Sequence, residues 1–428
     1  MRIALLTYRG NPFCGGQGVY VRHLSRELAA LGHRVEVLSG PPYPQLDDGV
    51  TGTEVPSLDL YREPDPFRLP ALREYRDWID VLEVGGMLTA GFPEPFTFSL
   101  RVRRLLRGRR DRYDVVHDNQ TLGYGLLGLD RLGLPLVTTV HHPIQIDRRL
   151  ELDAATGWRR LSLRRWYGFV GMQRRVARRL PRILTVSDSS AAEIVAHLGV
   201  APHRIETVPI GTDAQRFSPG PRDARRPGRL ITTASADVPL KGLHRLLEAV
   251  AVLRGRRPGR PLELVVVGEI RPASLAAALI ARHGLGGPGG VVRSTGRISD
   301  ADLVDELRAA EVAVVPSLFE GFSLPALEAM ACGLPVVATT AGGLPETVGP
   351  HGEAALLVPP DDAEALATAI ETLLDNPGLR DRLGTAGRRR VLDDFTWAVA
   401  ARRTEAAYRK AIDLGSSPRP AEPAVAPC

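Results

Sequence analysis

Short apolar runs alternate along this chain with segments whose apolar residues recur every three or four positions. The run "RIALLTY" predicts a strand. In "GVYVRHLSRELAALG" the residues Val21, Leu24, Leu28 and Leu31 share one helical face, and Gly32 suits the end of that helix. Further strands are expected at "HRVEVLS", "DVVH" (114–117), "LPLVTTVH" (134–141), "RILTVS" (182–187) and "IETVPIG" (205–211). The polar, Pro/Gly-rich stretch "QRFSPGPRDARRPG" interrupts the alternation and reads as a linker. From Arg229 it restarts with "LITTAS", "LELVVVG", "GGVVRSTG", "VAVVPS" and "LPVVATT", each followed by a helical segment. Continuous apolar strands separated by helices predict parallel sheets covered on both faces.

The expected architecture is therefore α/β, with two Rossmann-like doubly wound domains facing a cleft. Residues 1–212 form the first, 213–228 the linker and 229–392 the second. A terminal helix over 393–414 returns toward the first domain, and the tail 415–428 is too polar and Pro-rich to bury a core. A length of 428 residues fits two domains. Ligands of such sheets bind beyond the carboxyl ends of strands, so chemistry is sought just after "TTVH", "ITTAS", "VVVG", "VVPS" and "VVATT".

Composition changes little. With 44% hydrophobic and 24% charged residues the chain reads as globular and cytoplasmic, without a span of bilayer length, and its start as a strand rather than a signal peptide. Three separated cysteines indicate neither a disulfide framework nor a zinc cluster. The net charge of +6 comes almost wholly from arginine; only Lys241 and Lys410 are lysines, which makes each of them informative.

The most unusual local feature is Glu328, within "LPALEAMACGLP". Ser323 can cap this helix, Pro325 suits its first turn and Gly333 its end, yet a carboxylate sits among Leu324, Leu327, Met330 and Ala331. An ionised carboxylate there needs hydrogen bonds. They come from an Arg or backbone amides, in which case Glu328 is structural, or from a ligand diol such as a ribose. Glu320 lies eight residues earlier, with Gly321 between it and a helix N-terminus whose free N–H groups suit phosphate or sugar oxygens.

"EGFSLPALE" followed by "AMACGLPVVATTAGGLPE" closely resembles the E-x7-E signature of retaining GT-B glycosyltransferases of family 4. "GGQGVYVRHLSRELAALGHRVEVLS", "VSDSSAAEIVAHLGVAPHRIETVPIGTDAQRFSP" and "PLKG" extend the resemblance over most of the chain, except roughly residues 41–110 and the tail. The resemblance implies a GT-B fold and a metal-independent hexosyl transfer from a nucleoside diphosphate sugar, itself a substrate, with no cofactor. It implies that Glu328 holds the ribose, Glu320 meets donor-sugar hydroxyls, and Phe322, Ser323 and Leu324, beside Gly321, offer backbone amides to sugar and diphosphate. Lys241 would stabilise the departing diphosphate and His141, beyond "TTVH", would touch the donor sugar, with His142 as alternative. Gly16 belongs to a loop resembling the family's glycine loop. Relatives usually carry an Arg five or six positions before the lysine; here Ser235 and Ala236 stand there, and Arg297 is the candidate replacement cation. Asp118 and Asn119 are candidates for the acceptor pocket, and acceptor choice is expected within residues 41–110.

Rival readings are a nucleotide-sugar epimerase or glycosyl phosphorylase on the same fold, and a non-catalytic sugar-nucleotide binding protein. No pattern suggests nucleic acid. The Arg-dense stretch 158–182 has a basic amphipathic pattern. It fits either peripheral contact with an anionic membrane or an ordinary helix with a solvated Arg face. The acceptor is not legible.

Overall fold

The computed structural model describes residues 1–11, 17–233 and 238–416. The chain divides into two compact units. The first comprises Met1–Thr185, Ala191–Val208 and the chain from Ala401; the second comprises Val186–Ser190 and Pro209–Ala400. The expected linker 213–228 thus belongs to the second unit, where Asp213 anchors the turn by accepting from the N–H groups of Gln215 and Arg216.

The first unit holds strands β1 (Arg2–Thr7), β2 (Arg34–Ser39), β3 (Thr51–Glu54), β4 (Val115–Asn119), β5 (Leu136–Thr139), β6 (Ile183–Thr185) and β7 (Ile205–Thr207). They pair in the order β3-β2-β1-β4-β5-β6-β7, and every pairing is parallel. In the register of the central pair, Ile3 lies opposite Val115 and Leu6 opposite Asp118. The helix Gln17–Ala30 buries Tyr20, Val21, Leu24 and Leu28. Leu31, expected on that face, lies past the helix end and is 39% exposed, because the chain turns at Gly32. The last helix, Trp397–Ser416, carries fully buried Tyr408 into the first unit, where its hydroxyl lies 2.6 Å from His117 Nδ1.

The stretch 158–182 is not one helix. It forms Gly157–Trp166 and Phe169–Ala177, broken at Tyr167 and Gly168. The second helix buries Val170, Met172 and Val176, so packing explains its apolar positions. The first buries nothing, and Trp158 and Leu161 are exposed.

The second unit holds β8 (Arg229–Thr233), β9 (Glu263–Val267), β10 (Val292–Ser294), β11 (Val312–Val315), β12 (Val336–Thr339) and β13 (Ala355–Val358). Their order is β10-β9-β8-β11-β12-β13, again all parallel. Alternate residues feed two cores: Ile231, Val265 and Ala313 on one side, Leu230, Leu264 and Val312 on the other. A sheet buried on both faces must be apolar at every position, which is why these strands read as unbroken runs. Among the described residues no helix is long and apolar enough to cross a membrane.

Candidate active site

In the second unit the chemistry gathers beyond β8, β11 and β12. Lys241 ends a short turn after β8, and its Nζ lies 2.8 and 3.1 Å from the two carboxylate oxygens of Glu320, in the loop after β11. Ser317 Oγ donates to the same carboxylate at 3.0 Å. Gly242 has φ +67, and a Cβ there would stand 1.8 Å from the Pro316 carbonyl oxygen, so only glycine brings the lysine turn this close to β11. Gly342, after β12, does the same for the other side. Its φ is +56, a Cβ would meet the Glu320 carbonyl oxygen at 2.1 Å, and its neighbour Gly343 donates to that oxygen at 2.7 Å. The sequence named Lys241 and Glu320 separately; the fold makes them one ion pair, with Glu320 the more buried partner.

The helix Leu324–Ala331 follows. Ser323 caps it as expected, its buried Oγ accepting from Ala326 N–H, and the helix stops before Gly333 at φ +69. Around the cap, the backbone N–H groups of Phe322, Ser323 and Leu324 have no acceptor among the described residues. Such a run at a helix start attracts anions. The ring of Phe322 turns inward onto Phe395, so the main chain is what this residue presents. The carbonyl of Gly321 is taken by Ser187 Oγ at 2.7 Å.

Glu328 stands among these groups on the helix itself. Its side chain is half-buried, and among the described residues it has neither a hydrogen bond nor an ion pair. Burial, reinforced by the charge of Asp300, pushes its pKa up to about 8. No Arg holds it. Arg297, in the loop after β10, is exposed and engaged in an interaction of its own, and the structure shows no contact joining it to Lys241 or Glu320. Ser235, Ala236 and Gly16 lie outside the described residues. A cavity of about 390 Å3 opens beside the lysine turn, lined by Pro239, His244, Arg271 and Ser274 among others. Arg271, which the sequence reading passed over, brings a second cation to that side.

In the first unit, His141 and His142 follow β5 and are half-buried. His141 Nε2 meets Asn119 Oδ1 at 2.8 Å, and its ring stands edge-on to Tyr20 at 4.7 Å. Burial lowers the His141 pKa to about 3, so the imidazole is neutral. Asp118 and Asn119 are fully buried and hold protein rather than line a pocket. Asp118 accepts from the N–H groups of Thr121 and Leu122, and burial raises its pKa to about 6. Asn119 spends its oxygen on His141 and its amide on the Gln17 carbonyl. At the end of β4 both side chains turn into the neighbouring loops of the first unit. In the 41–110 segment, buried Arg101 bridges Asp80 and Glu83, and Glu94 lies 3.2 Å from Arg9 with its pKa raised by burial to about 8.

Family comparison agrees with this geometry. Residues 14–216 match the model described as Glycosyltransferase Family 4, and residues 227–376 that described as Glycosyl transferases group 1. The chain is 54% identical, over 96% of its length and 98% of the relative's, to the MMP alpha-(1->4)-mannosyltransferase of Mycolicibacterium hassiacum. The chain belongs to the group 1 glycosyltransferases. It is 32% identical to the D-inositol 3-phosphate glycosyltransferase of Kineococcus radiotolerans, covering 99% of this chain and 98% of that one. Its GT-B fold is that of the sucrose-phosphate synthase of Thermosynechococcus elongatus, with a TM-score of 0.70 at 24% identity over 96% and 99% of the two chains.

What sequence reasoning missed in this glycosyltransferase is mostly scaffolding. Gly242 and Gly342 were present as "KG" and "AGG", and their adjacency to loops of opposite charge was a usable signal. Gln120, which touches both His141 and His142, gave none.

Proposed function

We propose that this glycosyltransferase transfers a mannosyl unit from a nucleoside diphosphate mannose to the 4-hydroxyl of a sugar acceptor, forming an α(1→4) bond with retention. The observation that carries the sugar and the linkage is the 54% identity, across nearly the whole of both chains, to a relative named as an α-(1→4)-mannosyltransferase. The site chemistry of the second unit supports the donor class. Glu328 is an acceptor without a protein partner, as a ribose diol requires. The free N–H groups of Phe322 to Leu324 suit diphosphate oxygens.

In this reading Lys241 stabilises charge on the diphosphate as the anomeric C–O bond breaks. The acceptor oxygen bonds to the same face of the anomeric carbon, and its proton passes to the departing phosphate oxygen. No protein nucleophile is needed. Glu320 orients Lys241 and meets sugar hydroxyls, and in the first unit neutral His141 is the group assigned to the transferred sugar. The resident ion pair keeps Lys241 extended and solvated on one side until a more highly charged anion competes for it.

The test is a donor and acceptor panel: mannose and glucose carried on GDP, UDP and ADP, each with an α(1→4)-linked mannobioside. Mannosyl addition with an α product by NMR is expected. A β product, or transfer of glucose but not mannose, would overturn the reading. Product formed without acceptor, or only with inorganic phosphate, would favour an epimerase or a phosphorylase.

A further inference from the structure

Gln120 follows β4 with φ +55, in the left-handed region that a residue with a side chain rarely occupies, and Leu122 repeats this at φ +51. Its side chain is 4% exposed and fully used. Oε1 accepts the His141 N–H at 2.7 Å, and Nε2 donates to the His142 carbonyl at 2.9 Å. A single amide thus grips the N–H of His141 and the carbonyl of His142, just where β5 has ended. Asn119 completes the hold. Its Nδ2 faces the Gln17 carbonyl, so Oδ1 faces His141 and the imidazole must carry its proton on Nε2. Nδ1 is then the acceptor nitrogen, and neither it nor the His141 carbonyl has a partner among the described residues.

We propose that Gln120 is a positioning residue for glycosyl transfer, clamping the His141–His142 main chain so that His141 offers two fixed acceptors, Nδ1 and its carbonyl oxygen, to hydroxyls of the transferred sugar. This rests on the assignment of His141 to that sugar. The left-handed backbone is what aims the amide along the dipeptide. Only a side chain with one donor and one acceptor at this length satisfies both peptide groups. The cost of the conformation is offset by a site held rigid before substrate arrives.

The chemistry supplies a reversible test. In Gln120→Glu the ionised carboxylate still accepts from His141 but leaves the His142 carbonyl facing a negative charge. The protonated acid has one donor and one acceptor, as the amide has. Its pKa should be raised by burial. Turnover of Gln120→Glu, divided by that of the wild type at each pH, should therefore climb as pH falls, while Gln120→Ala stays low throughout. Misplacing a reacting group by an ångström costs up to about 100-fold, so kcat should fall by roughly that order in Gln120→Ala. Affinity for GDP or UDP, whichever the wild type binds, should not change.

A pH-independent Gln120→Glu ratio, or wild-type kcat in Gln120→Ala, would overturn the clamp. If Gln120→Ala folds poorly, the Gln120→Glu ratio still decides, because it follows one folded variant across pH, normalised to the wild type. His141→Ala separates the two layers. Full turnover in His141→Ala removes the assignment of His141 and the clamp with it. Loss of turnover in His141→Ala alongside a flat Gln120→Glu ratio removes the clamp alone.

Discussion

Glu328→Gln is the sharpest single perturbation, because no described residue bonds to the carboxylate. Glutamine keeps the volume and one acceptor but loses the charge. A hydrogen bond to a charged group contributes about 1.5–3 kcal/mol, or roughly 10–150-fold in affinity. The raised pKa divides that range by pH. With a value of about 8 in the free protein, only about one molecule in ten is ionised at pH 7, and ionising the rest on binding costs about 1.4 kcal/mol. The wild-type advantage over Glu328→Gln should then be nearly absent to roughly 15-fold at pH 7, and should reach its full size above pH 8.5.

The readout is the ratio of affinities for a nucleoside diphosphate and its 3′-deoxy analogue, measured by calorimetry; the ratio cancels titration of phosphate and base. It should rise with pH in the wild type and stay flat in the variant. Stability should move the other way. Glu328 is raised above its unfolded value of 4.5, so the native state binds the extra proton. The wild type consequently loses stability as pH climbs from about 4.5 through about 8. Glu328→Gln escapes that loss and should melt higher than wild type at pH 8.5 while binding nucleotide less well. A ratio independent of pH, or wild-type affinity in the variant, would refute the diol assignment.

Lys241→Ala should lower kcat by about 100-fold, the scale of removing one transition-state donor, while nucleoside affinity changes little; full turnover would point to another cation. Lys241→Arg should rescue only partly, since a planar fork does not reproduce a point charge bonded to both oxygens of Glu320. Activity should survive EDTA, and complete loss restored by Mg2+ would overturn a metal-independent mechanism. If the helix Gly157–Trp166, with Trp158 and Leu161 exposed among Arg159, Arg160 and Arg164, docks on anionic membranes, the protein should co-sediment with anionic but not neutral vesicles and release as salt rises; indifference at low salt would end that proposal.

The strands that were legible are those buried on both faces, such as Val312–Val315 and Val336–Val337, where every position is apolar. The edge strand Thr51–Glu54 was not, because one partner strand and open solvent leave "TGTE" without an apolar requirement. The Arg-dense stretch misled for a related reason. Its apolar spacing continues through Tyr167 and Gly168, but the helix breaks there, and Val176 is buried on the second piece while Leu161 is exposed on the first. At the site, residue types identified Glu320, Glu328 and Lys241 one at a time. Their relations needed the fold: a partner for Glu320, none for Glu328. Asp118 and Asn119 show the limit most plainly. A strand-end position places a polar residue near the ligand-binding edge, yet whether it faces ligand or protein depends on loops whose course no local pattern encodes.

Both units place their chemistry where the strand order reverses, between β1 and β4 in one and between β8 and β11 in the other. What fills the two places differs. Beyond β8 and β11 stands an ion pair, Lys241 with Glu320, in a setting of free backbone N–H groups. Beyond β4 and β5 the groups around His141 are neutral: Asn119 spans from His141 to the Gln17 carbonyl, and Gln120 holds the two histidines. Under the proposed reading, the difference follows from what each would bind. A diphosphate gathers negative charge as it leaves, so a cation there is worth more in the transition state than before it. A sugar stays neutral at its hydroxyls and gains from fixed acceptors, for which a charge would only add a desolvation cost. In that reading, burial that keeps His141 neutral serves recognition rather than proton transfer.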